Sequence, residues 1–238
     1  MGPLGDRYSG EKEYAECLLK MKFLTDPVKR FDLIETMLYE PGGELVLLER
    51  HMDRLRTSAH YFAFAFDEAA ARRALAEAVK GKAERLRVRL LLLEGGAVSV
   101  TTTPLPHAKA DALMRFVLSP TKLNSADIFL FHKTTRRELY DREWQHYSES
   151  AGADEVIYLN ERGELAEGSR TTIFLEKDGQ LLTPALSSGL LAGTLRAGLL
   201  ASGRAREAVL KLNDLETADT IYLGNSVRGL VRAERIDR

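Results

Sequence analysis

The sequence contains a single cysteine and has no excess of charge of either sign. With Cys17 alone among 238 residues, no disulfide can form within the chain, which favours a reducing compartment. Lysine and arginine total 34 and aspartate and glutamate total 35, and this balance predicts neither a nucleic-acid partner nor a membrane partner. The longest apolar run, residues 61–66, is far shorter than a membrane span, and a signal-peptide pattern is missing. We therefore expect a cytoplasmic protein.

Several common site motifs are also missing from the sequence. It contains no G-x-G-x-x-G or P-loop, which argues against the usual nucleotide-binding folds. It contains no C-x-x-C or H-x-x-x-H, and its five histidines are scattered, so no metal site is predicted. The G-x-S-x-G turn of many serine hydrolases is absent as well.

The spacing of apolar residues predicts an α+β fold with mixed sheets rather than a regular alternation of strands and helices. The second half of the chain consists mainly of short strands separated by turns. Strands are predicted at residues 31–39, 44–48, 86–93, 97–102, 113–118, 155–159, 171–176, 180–183, 206–210 and 220–223, and helices at residues 13–24, 51–64, 67–81, 139–150 and 190–201. The polar stretch 119–127 is the predicted connector between the two halves.

Two ionisable residues lie in unusual surroundings. Lys133 follows a short apolar run and precedes a predicted helix. Desolvation at such a place would expose a nucleophilic amine, whereas the alternative is a solvated lysine at a helix start. Glu167 lies between two predicted strands. It is either a turn residue or the anionic partner of a buried protonated nitrogen.

Two further segments are suited to binding an anion. Gly193 and Thr194 lie early in a predicted helix, where free backbone N–H groups and the helix dipole attract phosphate. Arg54 and Arg56 lie on the helix predicted at residues 51–64, where either both form an exposed basic face or one of them turns inward to pair with a phosphate. None of these segments is specific alone, so the interpretation depends on their order along the chain.

Five motifs follow one another in an order that resembles the class IV aminotransferase family, the fold-type-IV pyridoxal-phosphate enzymes. They are an H-x-x-R-L helix start, a lysine before a helix, an E-G-small turn, a G-x-x-R helix start and a closing strand with a polar turn. In this sequence they lie at His51–Leu55, Lys133, Glu167–Ser169, Gly193–Arg196 and Tyr222–Ser226. The resemblance covers nearly the whole chain.

The resemblance implies a domain organisation and an assembly. Residues 1–30 would be an N-terminal extension or linker, residues 31–120 a small α/β domain, and residues 121–238 a larger, barrel-like domain with mixed sheets that binds the cofactor. Members of the family are typically dimers, so a homodimer acting on a small-molecule substrate is expected.

The resemblance also implies pyridoxal 5′-phosphate as the cofactor. Lys133 would be the Schiff-base lysine and would afterwards move protons. Glu167 would accept a hydrogen bond from the pyridine N–H, which keeps the ring an effective electron sink. Arg54 and the backbone N–H groups of Thr194 and Leu195 would bind the phosphate.

Within the family, the strings FDLIETM, HKTTRRELYD and GNSVRGL resemble the aminodeoxychorismate lyases, as found in the lyase domain of fused para-aminobenzoate synthases. This implies conversion of 4-amino-4-deoxychorismate to para-aminobenzoate and pyruvate, a step of folate biosynthesis, and a synthase component as a possible partner. Thr36 would assist departure of the leaving group. Arg89 and Arg228, with Asn225 and Ser226, would bind the substrate.

Two positions depart from the family pattern, and two alternatives stay open. Ala192 stands where many members have proline, and Arg136 stands where asparagine is common, but neither change removes a reacting group. A branched-chain or D-amino acid transaminase would use the same cofactor residues. A cofactor-free partner domain of a para-aminobenzoate synthase is the other alternative, and the retention of the cofactor residues argues against it.

Overall fold

The computed structural model describes residues 30–107 and 112–236 of the chain. The described residues from Phe31 onward form one compact unit with two β-sheets, which confirms the α+β class. The helix predicted at residues 13–24 lies outside the described residues. The predicted division of the chain near residue 120 stays a prediction. No helix within the described ranges is long and apolar enough to cross a membrane.

The elements follow one another in an irregular order. The strands are β1 (Leu33–Glu40), β2 (Glu44–Leu45), β3 (Leu86–Leu92), β4 (Val98–Pro104), β5 (Leu113–Leu123), β6 (Glu155–Asn160), β7 (Leu165–Gly168), β8 (Thr172–Lys177), β9 (Gln180–Pro184), β10 (Ala205–Ala208), β11 (Thr220–Asn225) and β12 (Gly229–Arg235). The helices are α1 (Leu48–Tyr61), α2 (Glu68–Val79), α3 (Glu138–Ala151), α4 (Thr194–Ala201) and α5 (Leu212–Glu216). A short 3₁₀ helix at Ile128–Phe131 precedes α3.

The small sheet is antiparallel, with strand order β2-β1-β3-β4, and α1 and α2 pack on one of its faces. Side chains of a strand alternate between the two faces of a sheet, so every second residue of β3 is buried against the helices. Arg87 and Arg89 lie on the other face, where Arg89 pairs with Thr36 of β1. The face opposite the helices is therefore polar and available to a site.

The large sheet has eight strands in the order β10-β9-β8-β11-β12-β5-β6-β7, with both parallel and antiparallel pairs. The sheet curls until its edges approach, and Leu165 N on β7 donates to Leu210 O, just beyond β10, at 2.7 Å. Every residue of β6 is buried because Ile157 packs into the interior of the curl and Tyr158 packs towards α3. This arrangement confirms the barrel-like mixed sheet.

Several predicted boundaries are wrong for local reasons. The return strand of the first hairpin has only two residues, because Leu47 adopts a left-handed conformation and α1 begins directly after it. β5 continues to Leu123, so about half of the predicted connector is strand. α4 begins at Thr194 and not at Leu190, because Gly193 has an extended backbone. The short elements β7, α5 and β12 were not predicted.

Replacing Leu90 by alanine should lower the free energy of unfolding by about 2–5 kcal/mol, because its fully buried side chain fills the space between the small sheet and its helices. Leu93, three residues on, is 39% exposed, and its replacement by alanine should cost about 0.5 kcal/mol or less. Urea unfolding of both variants beside the wild type measures the difference. Equal losses in the two variants would contradict this placement of the core.

Candidate active site

A cavity of about 600 Å³ is lined by residues from both sheets and from the segments that precede α3 and α4. It brings together residues far apart in the chain, and Ser226 Oγ donates to Thr36 O at 3.2 Å across 190 positions. All ten residues predicted for the site line it: Thr36, Arg54, Arg89, Lys133, Glu167, Thr194, Leu195, Asn225, Ser226 and Arg228. Their roles stay predictions. Among the described residues, no group of three His, Cys, Asp or Glu side chains is arranged to hold a metal ion.

Lys133 is held in place by the backbone of the small sheet. It does not lie at a helix start, since α3 begins only at Glu138. Its segment is extended and pairs with the beginning of β1: Ile34 N donates to Lys133 O at 3.0 Å, and Thr135 N donates to Asp32 O at 2.9 Å. The main chain is thus fixed at Lys133 and at Thr135, two residues beyond it, and the lysine side chain lines the cavity.

The surroundings of Lys133 favour a neutral amine. Burial, together with the positive charges of Arg137 and Arg54, lowers the pKa of Lys133 to about 7, and the carboxylates of Glu35 and Glu167 only partly oppose this. No hydrogen bond or ion pair joins its Nζ to another described residue. A substantial fraction of this amine is therefore unprotonated near neutral pH and available as a nucleophile or base.

Glu167 lies on β7 rather than in a turn, and it is 9% exposed. The Tyr140 hydroxyl donates to its Oε1 at 2.6 Å, and Leu191 N donates to its Oε2 at 2.9 Å. Burial raises the pKa of Glu167, whereas these two donors stabilise the carboxylate and oppose that rise. Each oxygen keeps a lone pair, so the carboxylate can accept a further hydrogen bond from a group in the cavity.

A second buried carboxylate, Glu35 on β1, organises the neighbouring part of the site. Arg54 of α1 donates to both of its oxygens, at 2.8 and 2.6 Å, and His51 Nδ1 lies 2.6 Å from Oε2. Burial by itself would raise the pKa of Glu35, but Arg54 and His51 outweigh it and hold the pKa at about 2. Arg56, the other candidate, pairs with exposed acids instead, so Arg54 is the inward arginine of this helix.

The segment before α4 is fixed by both carboxylate clusters. Leu191 N is bound to Glu167, and Ala192 O accepts from Arg54 Nη1 at 3.1 Å. A Cβ at Gly193 would lie 2.9 Å from Thr172 Oγ1, so the close approach of the two segments requires glycine there. The first N–H groups of α4 have no intrahelical acceptor and lie at the cavity wall, as an anion site requires.

The predicted substrate residues come from the small sheet, from the end of β11 and from the turn after it. Thr36 and Arg89 come from paired positions of β1 and β3. Asn225 ends β11, and its Oδ1 accepts from the backbone of both Val227 and Arg228 at 3.0 Å, which shapes the turn that carries Arg228. Within the described residues, the side chains of Arg89 and Arg228 have no acidic partner.

Sequence reasoning missed several residues of the site. Tyr140 and Arg137, at the start of α3, contact Glu167 and the Ser169 carbonyl respectively. Arg136, which the sequence had marked as a departure from the family pattern, stacks on Phe129, with Cζ 3.8 Å from the ring centroid, and also lines the cavity. Glu35 was missed too, although a charged residue inside an otherwise apolar strand is a signal of a buried, compensated carboxylate.

Glu155 shapes the turn that follows Glu167. It is 1% exposed and accepts hydrogen bonds from Ser169 Oγ, from Thr171 Oγ1 at 2.8 Å and from Arg170 N at 3.1 Å. A Cβ at Gly168 would lie 2.5 Å from Thr171 Oγ1, so this turn closes only around a glycine. The E-G-small motif is thereby explained by packing around a buried carboxylate.

The comparisons with known proteins agree on one family. The model of the family described as amino-transferase class IV matches residues 32–236. A candidate aminodeoxychorismate lyase of Schizosaccharomyces pombe is 32% identical over 208 residues, which cover 83% of this chain and 86% of that protein.

Two solved structures extend this result. A candidate amino-acid aminotransferase from Mesorhizobium loti is 40% identical, with a TM-score of 0.82, and the match covers 87% of this chain and 100% of that one. The pyridoxal-phosphate-bound form of a hypothetical aminotransferase from Mycobacterium tuberculosis is 24% identical, with a TM-score of 0.74 over 87% of this chain and 81% of that one. At that identity it shows the shared fold alone.

Because its pKa is lowered to about 7, Lys133 should be acetylated by acetic anhydride with a pH midpoint near 7. Peptide mass spectrometry after short labelling pulses at increasing pH measures this midpoint. Lys177, an exposed residue at the end of β8, serves as the internal reference. A midpoint for Lys133 above pH 9 would contradict the predicted desolvation.

The ionised form of Glu35 should stabilise the fold above pH 4.5, the ordinary glutamate value, and this contribution should be lost as the pH falls towards 2. The difference in unfolding free energy between wild type and Glu35→Gln should therefore shrink over this window, by about 3 kcal/mol at most. Denaturant unfolding at several pH values measures it. Glu77→Gln, an exposed site, is the control, and a difference that is constant with pH would oppose the ion-pair assignment.

Proposed function

The chain belongs to the class IV aminotransferase family, and on that premise we propose that it is a pyridoxal-phosphate-dependent lyase that converts 4-amino-4-deoxychorismate to para-aminobenzoate and pyruvate. The observation that carries the proposal is the set of unpaired arginines around Lys133. Arg87, Arg89 and Arg228 line the cavity without an acidic partner among the described residues. The substrate bears two carboxylates, which guanidinium groups bind well.

The donor set of the cavity fits the cofactor. Arg54 and the first turn of α4 suit a phosphate, and Glu167 suits a protonated ring nitrogen. The partly neutral amine of Lys133 suits covalent attachment of the cofactor aldehyde. When bound, pyridoxal phosphate supplies a ring that withdraws electrons from the substrate carbon next to the amine nitrogen.

The protein's own groups then have two tasks, proton transfer and positioning. Lys133, as a neutral amine, removes the proton from the amine-bearing carbon of the substrate. Arg89 and Arg228 hold the carboxylates, and Thr36 lies beside Arg89 to donate a hydrogen bond or a proton to the departing enolpyruvyl group. Loss of pyruvate leaves an aromatic ring, so the step is strongly downhill once the proton has moved.

The decisive assay measures pyruvate and para-aminobenzoate formed from aminodeoxychorismate generated in place. The wild type should release the two products in equal amounts. Lys133→Ala should lower the rate about a hundredfold or more, because it removes the group that transfers the proton. Lys122→Ala, an exposed site on β5 outside the cavity, is the matched control and should keep the wild-type rate.

A transaminase on the same scaffold is the second candidate, favoured by the 40% identity to the aminotransferase from Mesorhizobium loti. It would need the same Lys133, Glu167 and Arg54. A cofactor-loaded protein that releases no pyruvate, but transfers an amino group to a 2-oxo acid in a Lys133-dependent way, would replace the lyase proposal. A homodimer, a synthase component as partner and a cytoplasmic location remain predictions.

A further inference from the structure

A buried chain of hydrogen bonds connects β1 to the first residue of α4. His51 Nδ1 lies 2.6 Å from Glu35 Oε2, and His51 Nε2 lies 3.2 Å from Thr194 Oγ1. All three side chains are almost fully buried, at 1%, 0% and 4% exposure for Glu35, His51 and Thr194. Thr194 also lines the cavity, so the chain ends at the proposed phosphate site.

The position of each proton in this chain is restricted. Ionised Glu35 can only accept, so His51 Nδ1 must carry a hydrogen. If the imidazole is neutral, Nε2 is an acceptor, and the Thr194 hydroxyl must donate to it. That hydroxyl then presents only lone pairs to the cavity. If the imidazole is protonated, Nε2–H donates to Thr194 Oγ1, and the hydroxyl hydrogen is free to donate to a ligand.

The groups around His51 favour the neutral form when no anion is bound. Burial lowers the pKa of His51, the carboxylate of Glu35 opposes that effect, and the positive charges of Arg54 and Lys133 lower the pKa further. These charges come from β1, from α1 itself and from the segment before α3, while α4 contributes only the Thr194 hydroxyl. A phosphate dianion at α4 would reverse this balance, because it adds negative charge and requires hydrogen-bond donors.

We propose that His51 takes up a proton when a phosphate monoester dianion binds at the first turn of α4, which turns the Thr194 hydroxyl from a donor to His51 into a donor to the ligand. His51 is thus a positioning residue that acts through Thr194. The proposal rests on the proposed function, since the ligand it requires is a phosphate-bearing cofactor. It adds that binding of the cofactor at that site depends on the uptake of a proton by His51.

The proton uptake makes the affinity for the phosphate ligand depend on pH in a defined direction. Because the bound site holds one proton more than the free site, affinity falls as the pH rises through the window between the two pKa values of His51, by up to tenfold per pH unit. Phosphate monoesters have their second pKa near 6, so between about pH 7 and 9 the phosphate group stays a dianion and does not itself cause this fall. Lys133 also titrates in this range, so its effect on the affinity must be separated from that of His51 by comparison of variants.

The first test is nitrogen-15 NMR of selectively labelled histidine in the full chain, with and without pyridoxamine 5′-phosphate at pH 7.5. The chain has five histidines, and loss of one signal in His51→Gln assigns His51. The expected result is a neutral imidazole with hydrogen on Nδ1 in the free protein and an imidazolium in the complex. A neutral His51 in the complex, or an imidazolium in both states, would overturn the proposal.

The second test is the dissociation constant of pyridoxamine 5′-phosphate from pH 7 to 9. The wild type and Thr194→Ser should both lose affinity as the pH rises. In His51→Gln this loss should be less steep. Because His51→Gln retains Lys133, the difference in slope from the wild type measures the contribution of His51. Thr194→Val, which lacks the hydroxyl, should bind about tenfold more weakly at pH 7.5. Equal slopes of affinity against pH in wild type and His51→Gln would overturn the proton uptake by His51 but not the proposed cofactor. Failure of the wild type to bind the ligand at all would overturn the proposed cofactor as well.

Discussion

The arrangement of the site depends on the compensation of one buried charge, the carboxylate of Glu35. An ionised group out of water is stable only when its partners are fixed around it. Arg54 and His51 supply these partners from one helix, which fixes α1 on the small sheet. Their remaining nitrogens extend to Ala192 O and Thr194 Oγ1, so the beginning of α4 is located by the same charge.

Two further buried carboxylates repeat this principle on the large sheet. Glu155 at the start of β6 is surrounded by donors from the turn after β7, and Glu167 on β7 is held by Tyr140 and by Leu191 N. Each carboxylate fixes a segment that has no regular secondary structure. This explains how loops can line a polar cavity with defined geometry, since buried hydrogen-bonded charges restrain them where apolar packing does not.

The sequence revealed the residues predicted to hold the cofactor better than the residues that position them. Lys133, Glu167, Arg54 and Thr194 were found because their motifs occur in a recognisable order, and the structure places all four around one cavity. Glu35 was not found, because its importance depends on partners that are sequence-distant and on other elements.

Periodicity failed where hydrogen bonds override it. The apolar residues Leu190 and Leu191 continue a helical pattern, yet bonds to Leu191 N and Ala192 O hold this segment extended until Gly193. β7 was missed because a strand of four residues is too short to show alternation, and its central Glu167 resembles a turn residue. Side-chain contacts, which a single sequence does not display, decide both cases.

Although the net charge of the chain is close to zero, the cavity is lined by many arginines. Their positive charges affect Lys133 differently in the free and in the ligand-bound site. Arg54 and Arg137 lower the pKa of Lys133, so the amine is available as a nucleophile while no anion is bound. An anionic ligand near Arg54 would offset part of this field and raise the pKa of Lys133, so the unprotonated amine would be a stronger base. The basicity of Lys133 would therefore change without movement of the backbone, because binding itself changes the electrostatic surroundings of the amine.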